Sequence, residues 1–132
     1  MILKYPKKGE TMAAYPTTAL QNSTLSLIKS GTPHLALFTS APNAGGGGTE
    51  VGGSYTRKPI TYGAISGGVM SNTAAMSFTN LPTATITHYA VMSAATGGTM
   101  HCYGALSTPV STTTGDQLQF AIGAHSLSFQ GS

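Results

Sequence analysis

The soft metal ligands are few: His34, His88, His101, His125 and Cys102. His101 and Cys102 are adjacent in a stretch with strand character, so they point to opposite faces and would need a bulge to reach one ion. His88 and His101 become cross-strand neighbours if ATITHYAVM pairs with TMHCYGAL, which would supply two ligands. No C-x-x-C or H-x₃-H spacing adds a third, so histidines satisfied within the structure are the expected reading. Cys102 has no cation or base beside it in the chain and reads as a buried, inert thiol.

Hydrolytic chemistry fares no better. The stretch Gly63-Ala64-Ile65-Ser66-Gly67 approaches a nucleophile elbow, but its first glycine stands one position too far from the serine. The chain has three acids, Glu10, Glu50 and Asp116, each in a turn, loop or arm, which is a poor supply for a triad or a glycosidase pair. The glycine-rich run APNAGGGGTEVGGSYTRKP, residues 41–59, lacks the Lys-Ser/Thr and the helix that a phosphate loop needs after its last glycine. It reads as a long surface loop between strands. No cofactor, metal or catalytic residue is assigned.

The elements that must carry these residues are mostly strands. The stretch 1–16 combines two prolines, a glycine and three lysines without a period, and reads as an extended N-terminal arm. Met12 is an alternative start within it. TTALQNSTLSLIKS, 17–30, is the one helix. Thr17 or Thr18 caps its start, Gly31 and Pro33 end it, and Leu20, Thr24, Leu27 and Ile28 at i, i+4, i+7, i+8 mark the face expected to be buried.

From His34 onward the pattern is HLALFTS, which alternates; YTRKPITYG; two short strands in GVMSNTAAMSFTN around Ser71-Asn72; ATITHYAVMSA; TMHCYGALS; QLQFAIG; and HSLSFQ. Turns fall at Ala95–Gly98 and Thr114–Asp116. Seven or eight short strands at roughly ten-residue spacing predict an all-β, antiparallel, jelly-roll-like sandwich over 17–132, with one short helix. Met70, Met76, Met92 and Met100 fall at strand positions, where they fill core or interface gaps.

Composition sets the context. Charged residues make up 7% of the 132, far below an ordinary soluble domain, so scattered charge does little to keep neighbouring molecules apart. Such a chain suits an assembly, as a homo-oligomer, dimer or trimer. The net charge of +3 reflects a shortage of acids, with no basic stripe interleaved with aromatics, so nucleic acid is not an expected partner. No run of about eighteen apolar residues points to a membrane, and the N-terminus has no signal-peptide pattern, so the expectation is a soluble product of the cytoplasm.

Several segments, in order, resemble a group of small phage virion proteins. These are TEVGGSYTR, similar to a TEVSGGSYAR-like segment; SNTAAMSF, similar to SNTAALTF; THYAVMSAATGG, similar to a VTHxGIxDAATGG hairpin; and GDQLQFAIGAHSLSF, similar to AGDxxxxxAGxLxVxL. The resemblance covers about 17–129. Ser93 stands where the group commonly has aspartate, which puts a turn contact in question.

The resemblance implies a non-enzymatic structural protein, in one of two roles. The first is a capsid cement or decoration protein on the capsid exterior that binds the major capsid protein between capsomers. Ile2, Leu3 and Tyr5 would be apolar anchors and Lys4, Lys7 and Lys8 would meet acids on the shell, while Gly45, Gly46, Gly47 and Gly48 let the loop follow a neighbouring subunit. The second is a tail-fibre or receptor-binding accessory whose contact surface is Ala41–Ser54 with the turns at Asn80-Leu81-Pro82 and Thr96-Gly97.

Overall fold

The computed structural model describes residues 14–129. The chain is all-β apart from one helix, with its strands paired antiparallel in a sandwich-like arrangement. Helix α1, Thr18–Ser30, starts where expected: the Thr17 hydroxyl accepts from Leu20 N, and Gly31 N closes the last turn on Ile28 O. Its orientation differs from the expected one. Gln21 and Leu25 are buried and Ile28 is half-buried, whereas Leu20 and Leu27 lie outside. Tertiary contact selects one side of a broad apolar stripe, and periodicity alone does not say which side.

Eight strands follow: β1 His34–Phe38, β2 Lys58–Pro59, β3 Val69–Ser71, β4 Met76–Leu81, β5 Ala84–Met92, β6 Met100–Thr112, β7 Asp116–Phe120 and β8 Ser126–Ser128. One sheet has the order β2-β1-β5-β6; β3 pairs with β8, and β4 with β7. The β5–β6 hairpin pairs as the sequence suggests, with Val91 opposite Cys102 and Tyr89 opposite Gly104. His88, however, lies opposite Ala105, and His101 falls in the irregularity beside Val91, so the two histidines do not pair. Further along, Ile86 pairs with Val110 while His88 pairs with Ala105, so Leu106–Pro109 bow away opposite Thr87.

The main core joins Leu35 and Leu37 of β1 to Met70, Met76, Phe78, Leu81, Ile86 and Val91, with Leu25 arriving from α1. Phe78 meets Phe120 edge to face at 5.9 Å between centroids. Strand β1 does not alternate as its sequence suggests, because Leu35 through Phe38 are all buried. Its other face, Ala36 and Phe38, packs with Ala90 and Met92 in a second cluster. The stretch YTRKPITYG yields only the two residues of β2, followed by single contacts such as Tyr62 with Asn72; Pro59 has no N–H to extend a ladder.

Candidate functional site

The segment between β1 and β2, residues 39–57, holds the glycine tract and a dense polar network. It leaves β1 as a closed loop. Thr39 N donates to Thr49 O at 2.8 Å and Thr49 N to Ser40 Oγ at 2.9 Å. Asn43 then organises the tip: its Oδ1 accepts from Gly45 N and its carbonyl from Gly46 N. Gly48, at φ +84°, packs so closely that a Cβ there would lie 2.9 Å from Pro42 N and 3.0 Å from Ser40 O. Gly45, Gly47 and Gly48 are exposed. The tract is therefore a pinned tip rather than a slack tether. With Asn43 and Ala44 it borders a cleft of about 370 Å³ whose other wall is Met100–Tyr103 of β6.

Behind the tip the loop is fastened by charge. Arg57 reaches the Glu50 carboxylate with both Nε and Nη2, each at 2.9 Å, and the Tyr55 hydroxyl donates to the same carboxylate. Burial alone would raise the Glu50 carboxyl, but hydrogen bonds from Arg57 and Tyr55 and the guanidinium charge outweigh it and hold Glu50 below its ordinary value. Burial and the bond to Glu50 push Tyr55 up. The Tyr55 oxygen also accepts from Leu37 N, and its ring stacks near Phe78, so the network is anchored in the main core.

Arg57 has a second task. Its Nη1 donates to Ala94 O at 3.0 Å and Gly97 O at 2.8 Å, locking the loop to the β5–β6 turn. That turn is closed by Ser93, whose Oγ accepts from Thr99 N at 2.8 Å, so the turn contact put in question by a serine at this position is made. At the other end of β5, Gly53 lies against Pro82, where an added Cβ would come within 3.2 Å of the ring. One loop thus touches both turns. A cleft of about 370 Å³ opens among Glu50, Tyr55, Arg57 and Ala95–Gly97.

A second polar cluster is neutral and buried. His125 shares a 2.8 Å hydrogen bond between Nε2 and the Tyr62 hydroxyl, and its backbone N donates to Asn72 Oδ1. Asn72 Nδ2 donates onward to Ala74 O and Ala121 O, tying β3, the start of β4 and the end of β7 together. Tyr89 meets the His125 ring edge to face at 5.4 Å. His125 Nδ1 is buried without a partner, and burial pulls the imidazole down to about 4. Burial likewise pushes Tyr62 up, and the nearby Cys102 thiol to about 11, which makes it a poor nucleophile.

Among the residues singled out from sequence, Ile2, Leu3, Lys4, Tyr5, Lys7 and Lys8 lie outside the described residues. Among the described residues no three metal-ligating side chains converge, and no helix is long and apolar enough to cross a membrane. Asp116 closes its own turn by accepting from Thr113 N. The groups that organise the site, Glu50, Tyr55, Arg57, Tyr62, Asn72 and His125, carried no chemical motif. The one signal that held the first three was the TEVGGSYTR segment, whose acid, tyrosine and arginine are the network.

The sequence model of a protein family described as Podophage GP4 fiber I protein gp80 matches residues 11–128, and the chain belongs to that family. A search of curated proteins found no match. The chain is accordingly a phage virion structural protein of a fibre-related family.

Proposed function

We propose that this member of the podophage fibre I family is a non-enzymatic fibre component of the phage tail, meeting its virion partners along the strip formed by loop 39–57 and the two turns it touches. The observation that carries this reading is that Gly53 rests on Pro82 while Arg57 holds Ala94 and Gly97. The three segments expected to form the contact surface of a fibre module are one connected strip along β5, braced from within. Bracing matters energetically, because a loop already ordered loses little conformational freedom when it docks. The fibre description of the family supports the same choice.

Chemistry has little to work with along this strip. Glu50 and Arg57 spend their charges on each other and on backbone carbonyls, which leaves neither as a free base or electrophile. Neither nucleic acid nor membrane enters the reading. The tip at Gly45–Gly48 faces a virion partner, and the protein itself works as a homo-oligomer.

A second reading, a cement protein on the capsid exterior that binds the major capsid protein, is favoured by the 7% charge content, which suits a subunit packed closely into a shell. Counting copies in intact particles, with immunogold labelling for position, separates the two. The fibre role gives about a dozen to a few dozen copies at the tail, because a virion has one tail, whereas a shell lattice repeats its contacts and would give hundreds. Hundreds of copies over the shell would overturn the fibre reading in favour of the cement.

A further inference from the structure

Helix α1 carries more apolar surface than the other described residues cover. Gln21, Leu25 and Ile28 face the body, and on one side of them Asn22 Oδ1 accepts from Gly68 N while Lys29 Nζ donates to Gly63 O at 2.7 Å. On the other side, about 100° around the helix, stand Leu20, Thr24 and Leu27. Leu20 is 57% exposed and Leu27 75%. The polar member of this row is already satisfied, since the Thr24 hydroxyl donates to Leu20 O at 3.0 Å, and its methyl is left for packing. The flanking outer positions, Ser23 and Ser30, are small and permit a close helix approach.

We propose, building on the homo-oligomer in the reading above, that a second copy of this chain covers the row. Two α1 helices pack antiparallel about a two-fold axis at Thr24, with Leu20 of each against Leu27 of the other. The spacing suits this arrangement, since Leu20 and Leu27 lie four and three residues from Thr24, about 10 Å apart along the helix. Antiparallel packing also opposes the helix dipoles favourably.

Charge points to self-association as well. A two-fold contact sets a surface against its own copy, so any charge in it would meet its like. The one charged residue of α1, Lys29, is turned away onto Gly63. A contact of helix length buries on the order of 800–1,000 Å² in total, in the range of weak, transient interfaces, so a dimer that dissociates on dilution is expected.

Sedimentation equilibrium of the full chain over a concentration series is the test. The wild type should reach the mass of two chains, and Leu20→Ser/Leu27→Ser should weaken association at least 100-fold with an unchanged circular dichroism spectrum, because neither leucine belongs to the core. In a Cys102→Ala background, Thr24→Cys should form a disulfide-linked dimer on oxidation, and Ser26→Cys, on the far side of the helix, should not.

An oligomer indifferent to the leucine substitutions, a wild-type mass of three chains, or equal cross-linking at positions 24 and 26 would overturn the helix contact. A wild type that stays monomeric at every concentration would overturn the homo-oligomer itself. Particle counts read the virion role independently of either outcome.

Discussion

Two polar joints hold this sandwich together, and they work by opposite electrostatics. The Glu50–Tyr55–Arg57 joint at the β1–β2 loop needs both charges: the carboxylate is held ionised by Arg57, and the guanidinium extends the hold to Ala94 and Gly97. The Tyr62–His125–Asn72 joint needs neutrality, because the imidazole is enclosed by Tyr62 and Tyr89 with one nitrogen unpartnered. Acid therefore disables both, the first by removing a charge and the second by imposing one. A loop on the surface can be fastened by an ion pair, whereas a seam inside the sandwich cannot pay the desolvation cost of a cation.

The sharpest way to break the comparison is Arg57→Ala. It strands Glu50 in a partly buried place and frees two carbonyls, and should lower stability by about 2–4 kcal/mol, between the cost of breaking an exposed pair and that of a buried one, read as a lower urea midpoint with an unchanged slope. The equivalent loss in the neutral joint comes from pH.

The folded His125 titrates near 4 and the unfolded imidazole near 6.5. Below 6.5 the unfolded chain binds the extra proton, so stability falls as pH drops from 6.5 to 4 and levels off below, by about 3 kcal/mol in all. His125→Gln should flatten that interval in urea titrations. Glu50 adds a separate loss at lower pH: its folded carboxyl lies below the ordinary 4.5 of a free glutamate, so its contribution is complete above that pH and disappears as pH falls through it and beyond. Arg57→Ala should remove this lower limb and keep the upper one.

The finest test sets two hydroxyls against each other. Tyr55→Phe removes a bond to an ionised acceptor and should cost about 1.5–3 kcal/mol; Tyr62→Phe removes a neutral bond and should cost about 0.5–1.5 kcal/mol. Equal costs, measured by the same urea midpoints, would mean that the two joints do not differ in kind.

Much of the scaffold was legible along the chain because local rules governed it. Thr17, Gly31 and Pro33 bound the helix, and the turn at Ala95–Gly98 sets the β5–β6 hairpin. Burial was less legible where non-local contacts decided it. The apolar row Leu20–Thr24–Leu27 is real, yet Leu25 and Ile28 beside it face the core, since a stripe does not name its neighbour. β1 lost its alternation because Ala36 and Phe38 are buried on a second face with Ala90 and Met92, a covering that no pattern in HLALF records.

The joints were hidden for another reason. Glu50 and Arg57 are seven residues apart in irregular backbone, and Tyr62, Asn72 and His125 meet across 63 residues of chain, so neither set has a spacing to recognise. The resemblance to virion proteins carried the first set unlabelled, as letters in TEVGGSYTR.

Strand β6 leaves one last consequence. It is an outer strand of its sheet and has no charged residue between Met100 and Thr112, so the usual electrostatic guard against edge-to-edge stacking is missing. Shape takes its place: Leu106–Pro109 bow out of register opposite Thr87, and Pro109 offers no amide hydrogen to an incoming strand. A guard made of backbone geometry is indifferent to ionic strength, so this protein should remain dispersed across salt concentrations that would strip the protection from a sheet relying on lysines.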